Sequence, residues 1–163
     1  MIRALPYWLI LVCIPTLSHA GGIYDTFRGG VLGVPWGATL DTVSGIYPDG
    51  DHVFSTTPGE RGYWVKDGAP FLDVPRPANG VLFGFNETNH VSKVAVGFAF
   101  ERALELRNRL TTLFGVPTSK RVGERKTVYF WKADNGIECA VWEMGEAHQQ
   151  IVWLVVSRLA TNK

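Results

Sequence analysis

Apolar residues along this chain change their spacing from one segment to the next, and those changes mark out its elements. Around 39–48, Leu40, Val43 and Ile46/Tyr47 recur at helical intervals, with Thr39 placed to cap the helix and Pro48 to end it. The same spacing returns over 100–114, where Leu106, Leu110 and Leu113 form one stripe, Gly115 stops the helix and Pro117 follows. Elsewhere the period is two. Segment 31–36 reads as a short strand that Gly37 turns into the first helix, and 62–66 as a strand closed by Asp67-Gly68. Segments 81–85 and 91–98 make a hairpin about Asn86 to Asn89. Three more strands are expected at 126–131, 137–143 and 149–157, the first pair joined by Asp134-Asn135-Gly136 and the second turning at Gly145. Turn formers fill 49–59, which reads as a loop, and the proline-rich 71–79 reads as an extended edge or a loop.

The two halves carry the same order of elements, and some of the same letters. Gly59-Glu60-Arg61 precedes an aromatic strand and Lys66-Asp67-Gly68; Gly123-Glu124-Arg125 precedes an aromatic strand and Lys132-Ala133-Asp134-Asn135-Gly136. The pattern predicts an α+β fold: a mainly antiparallel sheet with two helices on one face, built as a tandem helix-then-strands duplication with pseudo-repeats at about 31–98 and 99–159. Gly37-Ala38-Thr39 followed by Val43, and Phe114-Gly115-Val116-Pro117 at a helix end, resemble the small α+β repeats of bacterial envelope proteins. Those are the outer-membrane-assembly lipoproteins and the β-lactamase inhibitor proteins, and the resemblance implies the same units of helices and a few strands. The chain departs from the first in lacking a lipidated cysteine and from the second in lacking their disulfides. No binding residue is carried over from either.

Alternation along the last three strands separates two faces. Val128/Phe130, Ile137/Cys139/Val141 and Val152/Leu154/Val156 are aliphatic enough to lie under the helices. Tyr129/Trp131, Ala140/Trp142 and Ile151/Trp153/Val155 then fall on the other side, with Glu138 at its margin. Helices on one face only would leave Tyr129, Trp131, Trp142 and Trp153 as an aromatic surface suited to binding a partner. The alternative is that loops, the N-terminal segment or a second copy covers them.

Composition narrows the classes. The first 20 residues have Arg3, an apolar core from Trp8 to Ile14, Pro15, and Ser18-His19-Ala20 with the small residues a signal peptidase reads, so 1–20 is expected to be a signal peptide. Its apolar run is shorter than the ~20 residues a spanning helix needs. Taking 20 from 163 leaves 143 residues, enough for a single α+β domain at 21–163. Without Arg3 the 16 basic residues become 15, against 15 acidic, so no nucleic-acid or anionic-membrane footprint is expected. With Cys13 in the leader, Cys139 alone remains and no internal disulfide can form. An exported chain of this size without disulfides points to a bacterial periplasm, or to secretion.

Candidate chemistry is sparse. Asp49, Asp51 and His52 stand close enough in sequence to hold a cation, or simply to make a polar turn. Cys139 with His52, His90 or His148 as a base lacks any nucleophile signature, and its strand position makes it a small buried hydrophobe. Glu101, Arg102, Glu105, Arg107 and Arg109 decorate the second helix as a solvated charged face. With no catalytic, metal or cofactor residue to name, the expected function is a non-enzymatic periplasmic protein-binding module, an envelope component or an inhibitor or immunity-like protein. Its partner would be another envelope or secreted protein, or a second copy in a homodimer. The alternative class is a small periplasmic hydrolase or a glycan- or metal-binding module near Asp49, Asp51 and His52.

Overall fold

The structure, a computed structural model, describes residues 22–54, 61–76, 80–146 and 149–159. The expected leader with Cys13, and Gly59, Glu60 and His148, lie outside those residues. Three helices occur among them: α1 (Ile23–Phe27), α2 (Leu40–Ile46) and α3 (Ala103–Phe114), the last entered through a 3-10 turn at Phe100–Arg102. Eight strands follow in chain order: β1 (Asp51–Phe54), β2 (Arg61–Val65), β3 (Val81–Phe85), β4 (Val91–Ala99), β5 (Ser119–Val122), β6 (Lys126–Asp134), β7 (Ile137–Glu146) and β8 (Gln149–Arg158). They form one antiparallel sheet in the order β1-β2-β3-β4-β8-β7-β6-β5. The α+β expectation therefore holds in its coarse form, with more sheet than helix.

α2 and α3 are each followed by a four-stranded meander, and the meanders join through their fourth strands, β4 and β8. The pattern of apolar positions misses β1, expected as loop, and β5, because these are the sheet's outer edges. All eight of their side chains are exposed, so neither strand shows the alternation that burial imposes. Short, polar edges are also how a sheet discourages pairing with a stranger.

Segment 31–36 is not a strand. Val31 and Val34 exchange backbone hydrogen bonds of 3.0 Å in each direction, and Leu32 and Gly33 between them have φ of 52° and 77°, the signature of a type I′ turn. Val-Leu-Gly-Val-Pro at 31–35 has a counterpart in Phe-Leu-Asp-Val-Pro at 71–75. There Phe71 and Val74 are bridged in the same way, across Leu72 and Asp73 with φ of 53° and 64°. Each leucine carbonyl is held by a side chain: Tyr47 Oη donates to Leu32 O at 2.8 Å, and Arg109 Nε donates to Leu72 O at 3.0 Å. Burial, reinforced by Asp67 and opposed by Arg76, pushes the Tyr47 hydroxyl above its ordinary pKa, which keeps it a donor. Gly29, Gly30 and Gly33 belong to this tight corner.

The core lies on one face of the sheet. Phe83, Val94, Val96, Phe98, Val141, Leu154 and Val156 are buried there beneath Phe27, Val43, Leu106 and Leu110 from the helices. Thr39 caps α2 as expected, its Oγ1 accepting from the Thr42 amide. The long β2–β3 connection is tied down by Arg76, whose fully buried guanidinium meets Asp67 Oδ2 at 2.6 Å and the Ala69 carbonyl at 2.6 Å.

Gly30 has φ of 117°, and a Cβ there would overlap the Val34 carbonyl, whereas Gly29 faces open space. Urea melts should therefore show Gly30→Ala destabilised by more than about 1 kcal/mol, and Gly29→Ala altered by less than about half of that.

Candidate open-face site

Directly opposed residues of an antiparallel ladder share a face, so the register sorts every strand residue. On the face away from the core, Trp142 of β7 lies opposite Trp153 of β8, which lies opposite Gly97 of β4. One row along are Trp64, Leu82, Ala95, Val155, Ala140 and Phe130, from β2 across to β6. The indoles of Trp64 and Trp153 meet edge to face, with centroids 5.8 Å apart and planes at 72°. Gly80 makes this approach feasible: its φ is 84°, and a Cβ on it would strike the Trp64 indole. Val128, Ala140 and Val155 are buried among these larger side chains, yet none belongs to the helix-covered core. Trp64, Phe130, Trp142 and Trp153 are half-buried.

Two of the four expected partner-binding residues are therefore on this face, and two are not. Trp131 is 3 % exposed on the core side, and its Nε1 donates to the Gly115 carbonyl at the end of α3, at 2.8 Å. Tyr129 lies on the same side, where its hydroxyl accepts from Arg107 at 3.1 Å and its ring sits between Arg107 and Lys120. Val128 and Phe130 take the open-face places expected of them. The cause is a bulge. Asp134 pairs with Ile137 across Asn135-Gly136, a register that would set Trp131 opposite Ala140, but the shift between Trp131 and Asp134 sets it opposite Cys139. One added residue turns the whole of β6 over.

Trp64 was missed although Tyr63 and Val65 on either side of it alternate with it in burial. Arg121 and Lys126 were missed as well. The Arg121 guanidinium lies 5.1 Å from the centre of the Phe130 ring, and the Lys126 ammonium 5.0 Å from that of Trp142. With Val122, Gly123 and Val128 they line a groove of about 260 Å³.

The strand register separates the acidic-histidine cluster. Asp51 pairs with Trp64 on the open face, and His52 pairs with Tyr63 on the other, so their side chains diverge. His52 instead packs edge-on against the Tyr63 ring at 5.5 Å. It joins His90, Arg61, Phe85 and Thr39 around a second cleft, of about 450 Å³, between α2 and the β3–β4 turn. The polar groups of that turn are already engaged: Asn86 Oδ1 accepts from the Thr88 and His90 amides, and the Thr88 hydroxyl lies 3.1 Å from His90 Nδ1. Cys139 is buried in the core, and burial pushes its thiol far above the ordinary range, so no thiolate forms there at neutral pH.

Trp131→Ala should destabilise the protein by about 3–5 kcal/mol, as removal of a core aromatic does, while Trp142→Ala costs about 1–2 kcal/mol in the same denaturant titration. Cys139 should resist a thiol reagent in the native protein and react in full once it is unfolded in guanidinium. The chain matches no protein-family model, no curated protein and no solved structure with which it was compared.

Proposed function

We propose that this chain is an exported bacterial binding module, not an enzyme, and that it holds another envelope or secreted protein against the open face of its sheet. The observation that carries this is the row Trp64, Trp153 and Trp142, drawn from both halves of the chain and left uncovered by every described helix and loop. Large rigid aromatics offer contact area at little cost in side-chain entropy, and an apolar patch of this kind on a soluble domain marks an interaction surface. The periplasmic address rests on the expected leader at 1–20 and on the lack of a disulfide pair in 21–163.

The same reading takes the fold as a tandem duplication. If Lys66 and Lys132 are set equivalent, the ladders align Tyr63 with Tyr129, Trp64 with Phe130 and His52 with Lys120. Each tyrosine turns to the core side, and its hydroxyl bonds to the helical layer: Tyr63 to the Tyr47 carbonyl at 2.8 Å, Tyr129 to Arg107 at 3.1 Å. Gly123-Glu124-Arg125 joins β5 to β6, and Arg61, the last residue of the matching Gly59-Glu60-Arg61, opens β2. Duplication also accounts for the resemblance to envelope repeats.

The test is capture from a periplasmic extract by the wild-type chain beside a Trp64→Ala/Trp142→Ala/Trp153→Ala variant. The variant should retain its far-UV circular dichroism and capture nothing that the wild type holds. Equal capture by both, or a collapsed fold, overturns the reading. Stabilisation by a cell-wall glycan, abolished by the same substitutions, would replace the protein partner with a sugar. A concentration-dependent dimer in light scattering that the substitutions dissolve would replace it with a second copy.

A further inference from the structure

The open face is not uniform: Lys93 stands alone on β4, whereas Arg121 and Lys126 stand together at one end. Arg121 and Lys126 rest on the rings of Phe130 and Trp142, and among the described residues neither has a carboxylate partner. Four other arginines, Arg76, Arg102, Arg107 and Arg109, are by contrast ion-paired, with Asp67, Glu105, Glu143 and Asp73. Trp142 Nε1, in the ring under Lys126, is shielded from water and has no acceptor among the described residues. Unpaired donors over an apolar floor of Val128 and Phe130 describe the complement of one kind of group, an acid carried next to a hydrophobe.

Resting on the open-face reading, we propose that the partner is a protein that docks an acidic residue flanked by an apolar side chain in the groove between β5, β6 and β7. Its carboxylate takes Arg121 and Lys126, and its apolar neighbour lies on Val128, Phe130 and Trp142. The ring faces hold both cations in place beforehand, which lowers the ordering cost of forming the ion pair. A nucleic acid fits less well. Its continuous row of phosphates would run past Glu124 in the β5–β6 turn and Glu138 on the same face of β7, and the chain as a whole is close to neutral. Edge protection of β5 could also explain a charged residue at Arg121, but it does not require that the charge be positive.

That difference sets the experiment. A displayed library of short random peptides is selected on the purified protein, and the enriched sequences are measured against an Arg121→Glu/Lys126→Glu variant, which keeps the edge charged but reverses its sign. Enriched peptides should carry Asp or Glu beside an aromatic or aliphatic residue, bind the reversed variant about tenfold more weakly, and weaken as salt is raised. If the reversed variant does not keep its circular dichroism, Arg121→Gln/Lys126→Gln takes its place. Neutral or basic peptides that ignore the charge reversal but are lost with Trp64, Trp142 and Trp153 overturn the acidic partner and leave open-face binding standing. Absence of enrichment, or peptides indifferent to those tryptophans, overturns both. Tighter binding of oligo(dT), lost on charge reversal, overturns the protein partner in favour of single-stranded nucleic acid.

Discussion

A sheet that places all its helices on one side must make its other side tolerate water, and most of this structure follows from that constraint. The apolar residues of the covered face form a continuous core from Tyr63 and Val65 through Phe83, Val94, Val96 and Leu154 to Trp131. Among the described residues, the other face has no second layer to bury against. It gains its packing sideways instead, with the Trp64 indole against Gly80 and the Arg121 guanidinium and Lys126 ammonium over the rings of Phe130 and Trp142. Lateral packing of this kind shields Val128, Ala140 and Val155 but leaves the tryptophans half-exposed. The surface proposed to bind is thus a by-product of how the face away from the described helices packs.

The chain's periodicities revealed the two longer helices, the β3–β4 hairpin and the last three strands, because in each of these burial imposes a regular alternation. What they hid has physical causes that can be named. β1 and β5 bury nothing, so they carry no periodic signal. α1 is five residues long, too short for its spacing to be distinguished from chance. The tight turns at 31–34 and 71–74 force leucines into positive φ, against local preference, and only tertiary anchors at Tyr47 and Arg109 explain why they persist.

The site was half legible for a single reason. In β6 the residues Val128, Tyr129, Phe130 and Trp131 are all apolar, so sequence pattern alone leaves the face of that strand undetermined. The Asn135-Gly136 turn supplied a register, and the bulge beside it cancelled that register by one residue. β7 and β8 lack such a defect, so Trp142 and Trp153 fell where alternation put them. Nothing in the letters announced the bulge.

The strand that closes the sheet is also the last of the described strands along the chain. β8 lies at the centre, flanked by β4 and β7, and its register pairs span from Lys93 to Glu146 on its neighbours. Without β8, strands β1–β4 and β5–β7 would be two unjoined half-sheets. The sheet is thus completed only by its last described strand, an order of assembly that suits the export proposed for the chain.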